Sequence, residues 1–262
     1  MVAARDPNPK HNGRGISVLR RAGIRCDVGL LADAATRLNS AFNKWIVTGK
    51  PWVVAKVALS LDGKSTTQTG DSQWITSPIA RREAHKMRAR ADAVMVGAGT
   101  VIKDNPSLTL RHGVTGRQPW RVVVDAWGRS SRTAHLFTDT ERHRTIVATT
   151  ALAPVTWRRQ LALSGVTVLV LPVQARRVNL ASLLRELGRM EVTSVLVEGG
   201  NELHSAFFAA GLVDQVAFFF APKIIGNAQT MKNALNVDGS WRRIGRDEML
   251  FEGHFSASAN SI

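Results

Sequence analysis

Short apolar runs alternate with amphipathic segments along most of this 262-residue chain. The apolar runs predict β-strands at residues 52–58, 93–96, 121–125, 145–149, 166–171, 194–197, 215–221 and 249–255. Segments with helical spacing predict helices at residues 78–90, 179–190 and 201–210. Several runs are continuously apolar, which is typical of strands covered by helices on both faces. The pattern predicts an α/β fold whose central mixed, mostly parallel sheet is flanked by helices.

The first fifty residues follow a different pattern. A loop rich in Pro, Asn and Gly precedes a predicted helix at 16–22 and a predicted strand at 26–31. A second helix is predicted from about residue 33, with one apolar stripe formed by Leu38, Ala41, Phe42 and Trp45. Gly49 and Pro51 end that helix, so we place a domain boundary between residues 50 and 51.

The composition indicates a soluble, cytoplasmic protein. Hydrophobic residues make up 44% of the chain, enough for a sizeable core. The single cysteine, Cys26, excludes an internal disulfide and suits a reducing compartment. No apolar run approaches the ~18 residues of a membrane span, and the start lacks the apolar segment of a signal peptide. We therefore expect no membrane partner.

The charge is strongly positive, with a net charge of +15 and a pI near 11.3. The basic residues come as singles and doublets, without a basic arm, a Cys/His finger or an aromatic-rich RNA-binding sequence. A solvated basic surface, a basic cleft for a phosphorylated ligand and nucleic-acid binding all remain open as explanations. We expect no nucleic-acid partner, and the positive field would attract anionic substrates.

The sequence lacks several catalytic motifs. There is no H-E-x-x-H, and no H-x-E followed by P-C-x-x-C, so the ligands for zinc proteolysis and zinc deamination are missing. There is also no G-x-S-x-G elbow of a serine hydrolase and no P-loop. We expect no bound metal and no deaminase activity.

Two strand-to-helix turns are candidates for ligand binding. Glu198 ends an apolar strand, Gly199 and Gly200 turn the chain, and Asn201 could cap the next helix. This turn could hold a phosphate or could simply use glycine for its backbone freedom. Glu198 lies where ligands bind in α/β sheets, at the carboxyl end of a strand.

The second turn, Val-Gly-Ala-Gly-Thr at residues 96–100, resembles a dinucleotide motif, but Ile102 replaces its third glycine. Asp104 follows and could either cap the next turn or act in the site. Lys56 interrupts an apolar strand, so it either reaches water at an edge or meets a partner. Trp74 could clamp a loop or offer a flat surface to a nicotinamide. Arg88 belongs to a basic stripe that could bind an anion or face solvent.

Together these segments resemble one known family. AKVALSLDGK, GDSQWITSPIARREAHKMRA, ADAVMVGAGTVIKDNPSLTLR, RVVVD, VLVEGG and AGLVDQVAFFFAPKIIG occur in this order. They resemble the reductase domain of the bifunctional riboflavin-biosynthesis deaminase–reductase. The resemblance implies a dihydrofolate-reductase-like fold, a homodimer, and NADPH-dependent reduction of 5-amino-6-(5-phosphoribosylamino)uracil, a phosphorylated pyrimidine riboside, to its ribitylamino product.

The resemblance also implies a set of site residues. Those implied to contact the substrate are Ser72, Arg88, Leu108, Arg111 and Glu198. Those implied to line the NADPH site are Ala58, Trp74, Thr100, Asp104, Gly200, Asn201, Glu202, Leu203, His204, Ser205 and Ala206.

Residues 1–50 resemble the last third of the deaminase domain, without its zinc-ligand motifs. The predicted organisation is therefore a deaminase remnant at 1–50 and a reductase domain at 51–262. A repurposed or inactive paralogue, acting on another pyrimidine or pterin-like substrate or as a non-catalytic binding partner, is the alternative.

The chemistry of the reaction assigns roles to the charged residues. We expect Glu198 to accept hydrogen bonds from the pyrimidine, and Arg88 and Arg111 to hold the phosphate. Lys56 and Asp104 then remain as candidate catalytic residues for opening the sugar ring and supplying a proton, with Asp104 favoured.

Overall fold

The elements of this fold follow the apolar runs, whose branched and aromatic side chains suit a buried, pleated sheet. A computed structural model describes residues 1–65, 77–222, 237–244 and 248–255. The helices are α1 (Arg14–Arg21), α2 (Ala32–Leu38), α3 (Ser40–Thr48), α4 (Pro78–Arg90), α5 (Ala98–Asp104), α6 (His135–Thr138), α7 (Val155–Leu163), α8 (Leu180–Arg189) and α9 (Asn201–Ala209). The strands are β1 (Trp52–Ser60), β2 (Ala93–Gly97), β3 (Trp120–Val124), β4 (Thr145–Thr149), β5 (Thr167–Val170), β6 (Val173–Gln174), β7 (Arg177–Val178), β8 (Ser194–Gly199), β9 (Gln215–Ala221), β10 (Val237–Ile244) and β11 (Glu248–Phe255). Within the described ranges, no helix is both long and apolar enough to cross a bilayer.

The strands form a nine-stranded sheet in the order β10-β11-β9-β1-β8-β2-β3-β4-β5. The pairs β9–β1, β8–β2, β2–β3, β3–β4 and β4–β5 are parallel. Only β11 with β9 and β10 with β11 pair in the antiparallel sense among the described pairs of this sheet. The structure confirms the predicted mixed, mostly parallel sheet.

Helices cover both faces of the sheet. On one face, Val94 of β2 and Trp157 of α7 belong to the same buried cluster, and Ala80 of α4 packs in a second cluster with Phe219 of β9. On the other face, a Cβ added to Gly97 of β2 would lie 3.8 Å from Leu203 of α9. The helices that connect strands towards β5 lie on one face, and those that connect strands towards β10 lie on the other. Right-handed crossover connections produce this arrangement.

The predicted strands from residue 52 onward and the three predicted helices all form, and no end is shifted by more than two residues. The run at 216–221 is paired on both sides, by β1 and β11, so its backbone offers no free edge to a second chain. The run at 166–171 forms the edge strand β5, where Val170 is 50% exposed.

Two expectations for the first fifty residues are wrong. The predicted strand at 26–31 is reduced to one bridge between Val2 and Val28, because the positive φ angles of Gly29 and Leu31 break the extended backbone. The predicted helix from residue 33 divides at Asn39 into α2 and α3, and Leu38 is exposed rather than part of an apolar stripe.

The chain divides into two compact units. The first unit holds Met1–Trp52 together with Leu184–Ser194, and the second holds Val53–Leu183 together with Val195–Ile262. In the first unit, the Trp45 indole donates a hydrogen bond to the carbonyl of Gly188 (2.8 Å). A side chain at Gly188 would collide with the Gly49 carbonyl, so only glycine fits at this contact.

Candidate functional site

A cleft of about 1270 Å³ lies along one edge of the sheet in the second unit. It is lined where β1, β8, β2 and β3 reach their carboxyl ends, including Ala58, Glu198, Gly97 and Val124. Parallel strands bring their carboxyl ends to the same edge, which is where α/β proteins bind ligands. The volume exceeds the ~300–1,000 Å³ of an ordinary small-molecule pocket, so the cleft is large enough for a dinucleotide and a substrate together.

Glu198, near the end of β8, is the most constrained acid in this cleft. Its carboxylate accepts hydrogen bonds from Nε (2.6 Å) and Nη2 (2.8 Å) of Arg88 in α4. The Nζ atom of Lys56 lies 3.9 Å from its Oε2. The Glu198 side chain is only 7% exposed, so a single acid is held between two cations at the cleft wall.

The charges around Glu198 keep it ionised. Burial alone would raise the pKa of this carboxyl. The positive charges of Arg88 and then of Lys56, with the hydrogen bonds from Arg88, outweigh burial and lower the pKa to about 2. Glu198 is therefore an acceptor for N–H groups of a ligand at any physiological pH.

The protein engages three of the five N–H donors of Arg88. Besides its two bonds to Glu198, its Nη1 donates to the carbonyl of Thr109 (3.1 Å). Helix α4 sets the position of Arg88, and Ser77 caps the start of α4 by accepting from the amide of Ala80. This geometry favours a role in positioning Glu198 and the loop at residue 109 over the phosphate contact expected from the sequence.

The loop after α5 carries two more of the expected substrate residues. Leu108 is buried at a φ of +55°, and the side chain of Arg111 is exposed. The Arg111 amide donates to Nδ1 of His85 (2.9 Å), and the Leu110 amide donates to Gln118 (2.9 Å). Side chains from α4 and from the segment before β3 thus hold the backbone of this loop in a fixed conformation.

Two buried histidines flank the carboxylate of Glu198. Burial, and then the positive charge of nearby Arg88, lower the pKa of His85 to about 4. Burial lowers the pKa of His204 to about 4, although its hydrogen bond to the Val197 carbonyl (3.1 Å) opposes the shift. Both rings are neutral near pH 7.

The glycine turn after Glu198 is shaped for close approach. Gly200 has a φ of +79°, which favours glycine, and a Cβ on Gly199 would come within 3.1 Å of the Thr100 hydroxyl. Gly200 itself caps α9, so Asn201 is not the cap expected from the sequence but the first helical residue, and it accepts from Ser65 (3.0 Å). Asn201 and Glu202, whose amides open the first turn of α9, line the cleft.

The structure brings most of the expected residues together. The cleft is lined by Lys56, Ala58, Thr100, Asp104, Glu198, Gly200, Asn201, Glu202, Leu203, His204 and Ala206. Ser205 is exposed and does not line it. Arg88, Leu108 and Arg111 form the adjoining group, whereas Ser72 and Trp74 lie outside the described residues.

Sequence reasoning missed the far end of the cleft, beyond β3. Trp127 and Arg129 follow β3, and Arg176 and Arg177 lie on the β6–β7 hairpin. The two segments are distant in sequence, and only Asp125 at the end of a predicted strand pointed to this edge. Among the described residues, no cluster of three His, Cys, Asp or Glu side chains is placed to hold a metal.

Comparison with known proteins identifies the family. The family described as the RibD C-terminal domain matches residues 51–245. The riboflavin biosynthesis protein RibD of Bacillus amyloliquefaciens is 41% identical over 225 residues, which cover 86% of this chain and 60% of that protein. RibD of Aquifex aeolicus is 40% identical and is covered to 62% of its length, so the chain spans about 60% of these relatives.

Solved structures agree in fold. Acinetobacter baumannii RibD superimposes with a TM-score of 0.82 at 32% identity, over 97% of this chain and 72% of that chain. A diaminohydroxyphosphoribosylaminopyrimidine deaminase/5-amino-6-(5-phosphoribosylamino)uracil reductase from Thermotoga maritima gives 0.80 at 31% identity, over 97% and 71%. The fold is dihydrofolate-reductase-like, and the chain belongs to the RibD C-terminal domain family.

Proposed function

We propose that this protein is an NADPH-dependent reductase that converts 5-amino-6-(5-phosphoribosylamino)uracil to its ribitylamino product. The observation that carries the proposal is the ionised Glu198, held between Arg88 and Lys56 at the wall of a cleft of about 1270 Å³. The Thermotoga maritima relative is named for the same reduction. In this proposal residues 51–262 form the reductase domain and residues 1–50 the remnant of a deaminase domain.

The cleft fits a dinucleotide. Gly199 and Gly200 leave room for a phosphate beside the start of α9, where unpaired amides and the helix dipole favour an anion. Ala58 and Thr100 line the same cleft from β1 and α5. When bound, NADPH would supply a hydride to C1′ of the opened sugar.

The substrate would lie between Glu198 and Arg111. Each carboxylate oxygen of Glu198 already accepts one N–H of Arg88, so the remaining lone pairs of the ionised Glu198 would accept the N–H groups of the pyrimidine. Because Arg88 is already bonded to Glu198 and Thr109, we assign the phosphate of the substrate to the exposed Arg111. Holding the phosphate would fix the position of C1′ through binding remote from the reaction.

Proton transfer would fall to Lys56 and Asp104. Both line the cleft, Lys56 from β1 and Asp104 from the end of α5. Opening the sugar ring needs a proton at the ring oxygen, and reduction leaves negative charge on the heteroatom beside C1′. A cationic or protonated group within hydrogen-bond reach would stabilise that charge.

A homodimer remains our prediction for the assembly. Phe218, Phe220, Trp241 and Phe251 form a chain of ring contacts across β9, β10 and β11, with centroids 5.0 to 6.3 Å apart. Phe218 and Phe220 point away from the buried side chain of Phe219, and Trp241 is 57% exposed. Light scattering at micromolar concentration should give twice the mass of one chain, and the mass of one chain would contradict this prediction.

The test of the function is consumption of NADPH by the purified chain with the phosphoribosylaminouracil as substrate. Lys56→Met and Asp104→Asn should each lower kcat by roughly 10²–10⁴ while leaving NADPH binding intact. Arg111→Ala should act mainly by raising KM for the substrate. Arg82→Met, an exposed position on α4, is the control and should leave both constants unchanged.

Three results would contradict the assignment. No NADPH consumption with this substrate would favour another substrate or a non-catalytic role. Near-full kcat in both Lys56→Met and Asp104→Asn would mean that the proton comes from water or the substrate. An unchanged KM in Arg111→Ala would place the substrate phosphate elsewhere.

A further inference from the structure

A buried arginine in the second unit lies outside the cleft and has no part in the proposed reaction. Arg121, the second residue of β3, is 1% exposed and is not among the residues that line the cleft. It stands in an apolar strand that continues as Val122, Val123 and Val124. A charge at this depth is costly unless the protein balances it and accepts its hydrogen bonds.

Among the described residues, four partners surround the guanidinium of Arg121. The two carboxylate oxygens of Asp139, directly after α6, accept from Nη1 and Nη2 at 2.6 and 2.8 Å. The Thr145 hydroxyl of β4 accepts from Nε (3.0 Å) and Nη2 (2.7 Å), and the Leu136 carbonyl accepts from Nη2 (2.9 Å). The fourth partner is the Ser107 carbonyl, which accepts from Nη1 at 3.1 Å. Burial would raise the pKa of Asp139, but the hydrogen bonds and the charge of Arg121 lower it, so the pair is ionised.

The bond to Ser107 connects this ion pair to the proposed site. Ser107 belongs to what we call the substrate loop, residues 105–111, which follows Asp104 and ends with Arg111. A buried ion pair is often no more stabilising than apolar residues of the same volume, so stability alone does not account for Arg121. The placement of the substrate loop is the further effect that its contacts offer.

The backbone of the substrate loop needs support from outside. Asn105 and Leu108 have φ angles of +39° and +55°, in the left-handed region that most residues other than glycine disfavour. Such conformations persist only where the surrounding structure holds them. Ser107 stands between these two residues, so its bond to Arg121 holds the backbone where it is strained. The Asn105 side chain is a second anchor, because it accepts from the amide of His135 in α6 (2.8 Å).

We propose that Arg121 is a positioning residue, which holds the substrate loop so that Arg111 meets the phosphate of the substrate. The proposal rests on the proposed function, since that function assigns the phosphate to Arg111. Arg121 acts through the backbone of Ser107, from a place that the substrate does not reach. Its replacement should weaken substrate binding and leave NADPH binding unchanged, because the phosphate contact proposed for NADPH lies at the start of α9.

The experiment compares Arg121→Lys with Thr145→Val in the full chain. Lysine keeps a positive charge beside Asp139 but lacks the planar fork that serves Asp139 and Ser107 together. Valine has the shape of threonine and removes two contacts of Arg121, while the bond to Ser107 stays in place. Both variants should lower the urea midpoint. Only Arg121→Lys should raise KM for the substrate, by roughly 10-fold, the value of one charge-assisted hydrogen bond, and KM for NADPH should stay unchanged in both.

Amide exchange reports the substrate loop without relying on activity. The amides of Leu110 and Arg111 each donate a hydrogen bond to a side chain outside the loop, so their protection depends on the position of the loop. In Arg121→Lys they should exchange faster relative to the amides of the buried strand β2, which report global unfolding. In Thr145→Val this ratio should be that of the unmodified protein.

Asp139→Asn is the second variant, because it keeps Arg121 and removes only the opposite charge that orients it. It should raise the substrate KM and speed loop exchange in the same sense, which tests the proposal where Arg121→Lys does not fold. An unchanged substrate KM in either folded variant, or an equal rise in Thr145→Val, would overturn the proposal. Failure of both variants to fold would assign Arg121 to folding alone and would also overturn it. Faster loop exchange in an Arg121→Lys protein whose parent consumes no NADPH would support the placement of the loop and contradict the reaction assigned above.

Discussion

Replacing Arg88 with methionine tests how strongly Glu198 depends on its partner. Methionine keeps apolar bulk but removes the two bonds to Glu198, at 2.6 and 2.8 Å, and the bond to the Thr109 carbonyl at 3.1 Å. Among the described residues, Glu198 would then be a charge at 7% exposure whose one remaining ion-pair partner is Lys56, 3.9 Å away. Breaking a buried pair in this way typically costs about 3–5 kcal/mol, and we expect that loss in the free energy of unfolding.

The pH dependence of this loss gives an independent check. Lowering the pKa of Glu198 from 4.5 to about 2 is equivalent to about 3 kcal/mol of stability. That stability is present above pH 4.5 and is lost as the pH falls towards 2, because the folded state holds the ionised form. In Arg88→Met, burial would instead raise this pKa, so the deficit relative to the unmodified protein should shrink as the pH falls through 4.5.

Urea denaturation followed by circular dichroism, at neutral and at mildly acidic pH, is the assay. Arg82→Met on the same helix is exposed and should stay within about 0.5 kcal/mol of the unmodified protein. The double variant Arg88→Met/Glu198→Gln should recover much of the loss, because no charge remains buried. The reasoning fails if Arg88→Met is as stable as Arg82→Met, or if the double variant is less stable than Arg88→Met alone.

Four further outcomes are expected. His85 and His204 have pKa values near 4 in the folded state and 6.5 in the unfolded state, so the unfolded state binds protons first as the pH falls. Each histidine should therefore lower the free energy of unfolding by about 3 kcal/mol between pH 6.5 and pH 4. Urea midpoints that stay constant over this range would contradict the prediction. His85→Leu should raise the substrate KM and speed amide exchange at Arg111, whereas His85→Asn, which keeps an acceptor near Nδ1, should restore both; equal effects of the two variants would exclude this role. Gly200→Ala should lower stability by about 1–2 kcal/mol and weaken NADPH binding, and a neutral effect on denaturation would show that the turn tolerates a side chain. Deleting residues 2–49 should leave the rate of NADPH consumption within about a factor of ten, because fifty residues cannot build a core of their own, and a folded but inactive deletion protein would show that these residues complete the site.

The sheet could be predicted because its strands are specified locally. Runs buried on both faces need only branched and aromatic residues over five to eight positions, and β4 and β9 have the predicted bounds. The short helices were less predictable. Helix α5 begins with Ala98-Gly99 and ends at an Asp-Asn-Pro turn, and a short segment with these residues is typical of a loop. The break between α2 and α3 at Asn39 was not predicted. The Asn39 side chain donates to the Ala35 carbonyl (2.9 Å), and such a side-chain bond to the backbone competes with the helical hydrogen bonds without changing the apolar pattern.

The candidate site could be predicted as a set of residues but not as a set of contacts. The sequence indicated that Arg88 faces an anion, and the structure supplies one from the protein itself, Glu198, 110 residues away. The same holds for Lys56, whose charge in an apolar strand is explained by that same carboxylate rather than by an exposed edge. Side-chain pairing across the sheet depends on strand order, which no local pattern reveals.

Strand order also explains why residues that are far apart in the sequence line one cleft. β8 enters the sheet between β1 and β2, although more than ninety residues separate it from β2 in the sequence. This insertion places Glu198 beside Lys56 and next to the glycines after β2, while β3 carries Trp127 one strand further along the same edge. All of these strand ends point the same way, because the pairs on this side of the sheet are parallel. Along this edge the acid–lysine pair therefore comes first, the glycine turns come next and the loop after β3 comes last, so residues from four distant parts of the chain line one cleft.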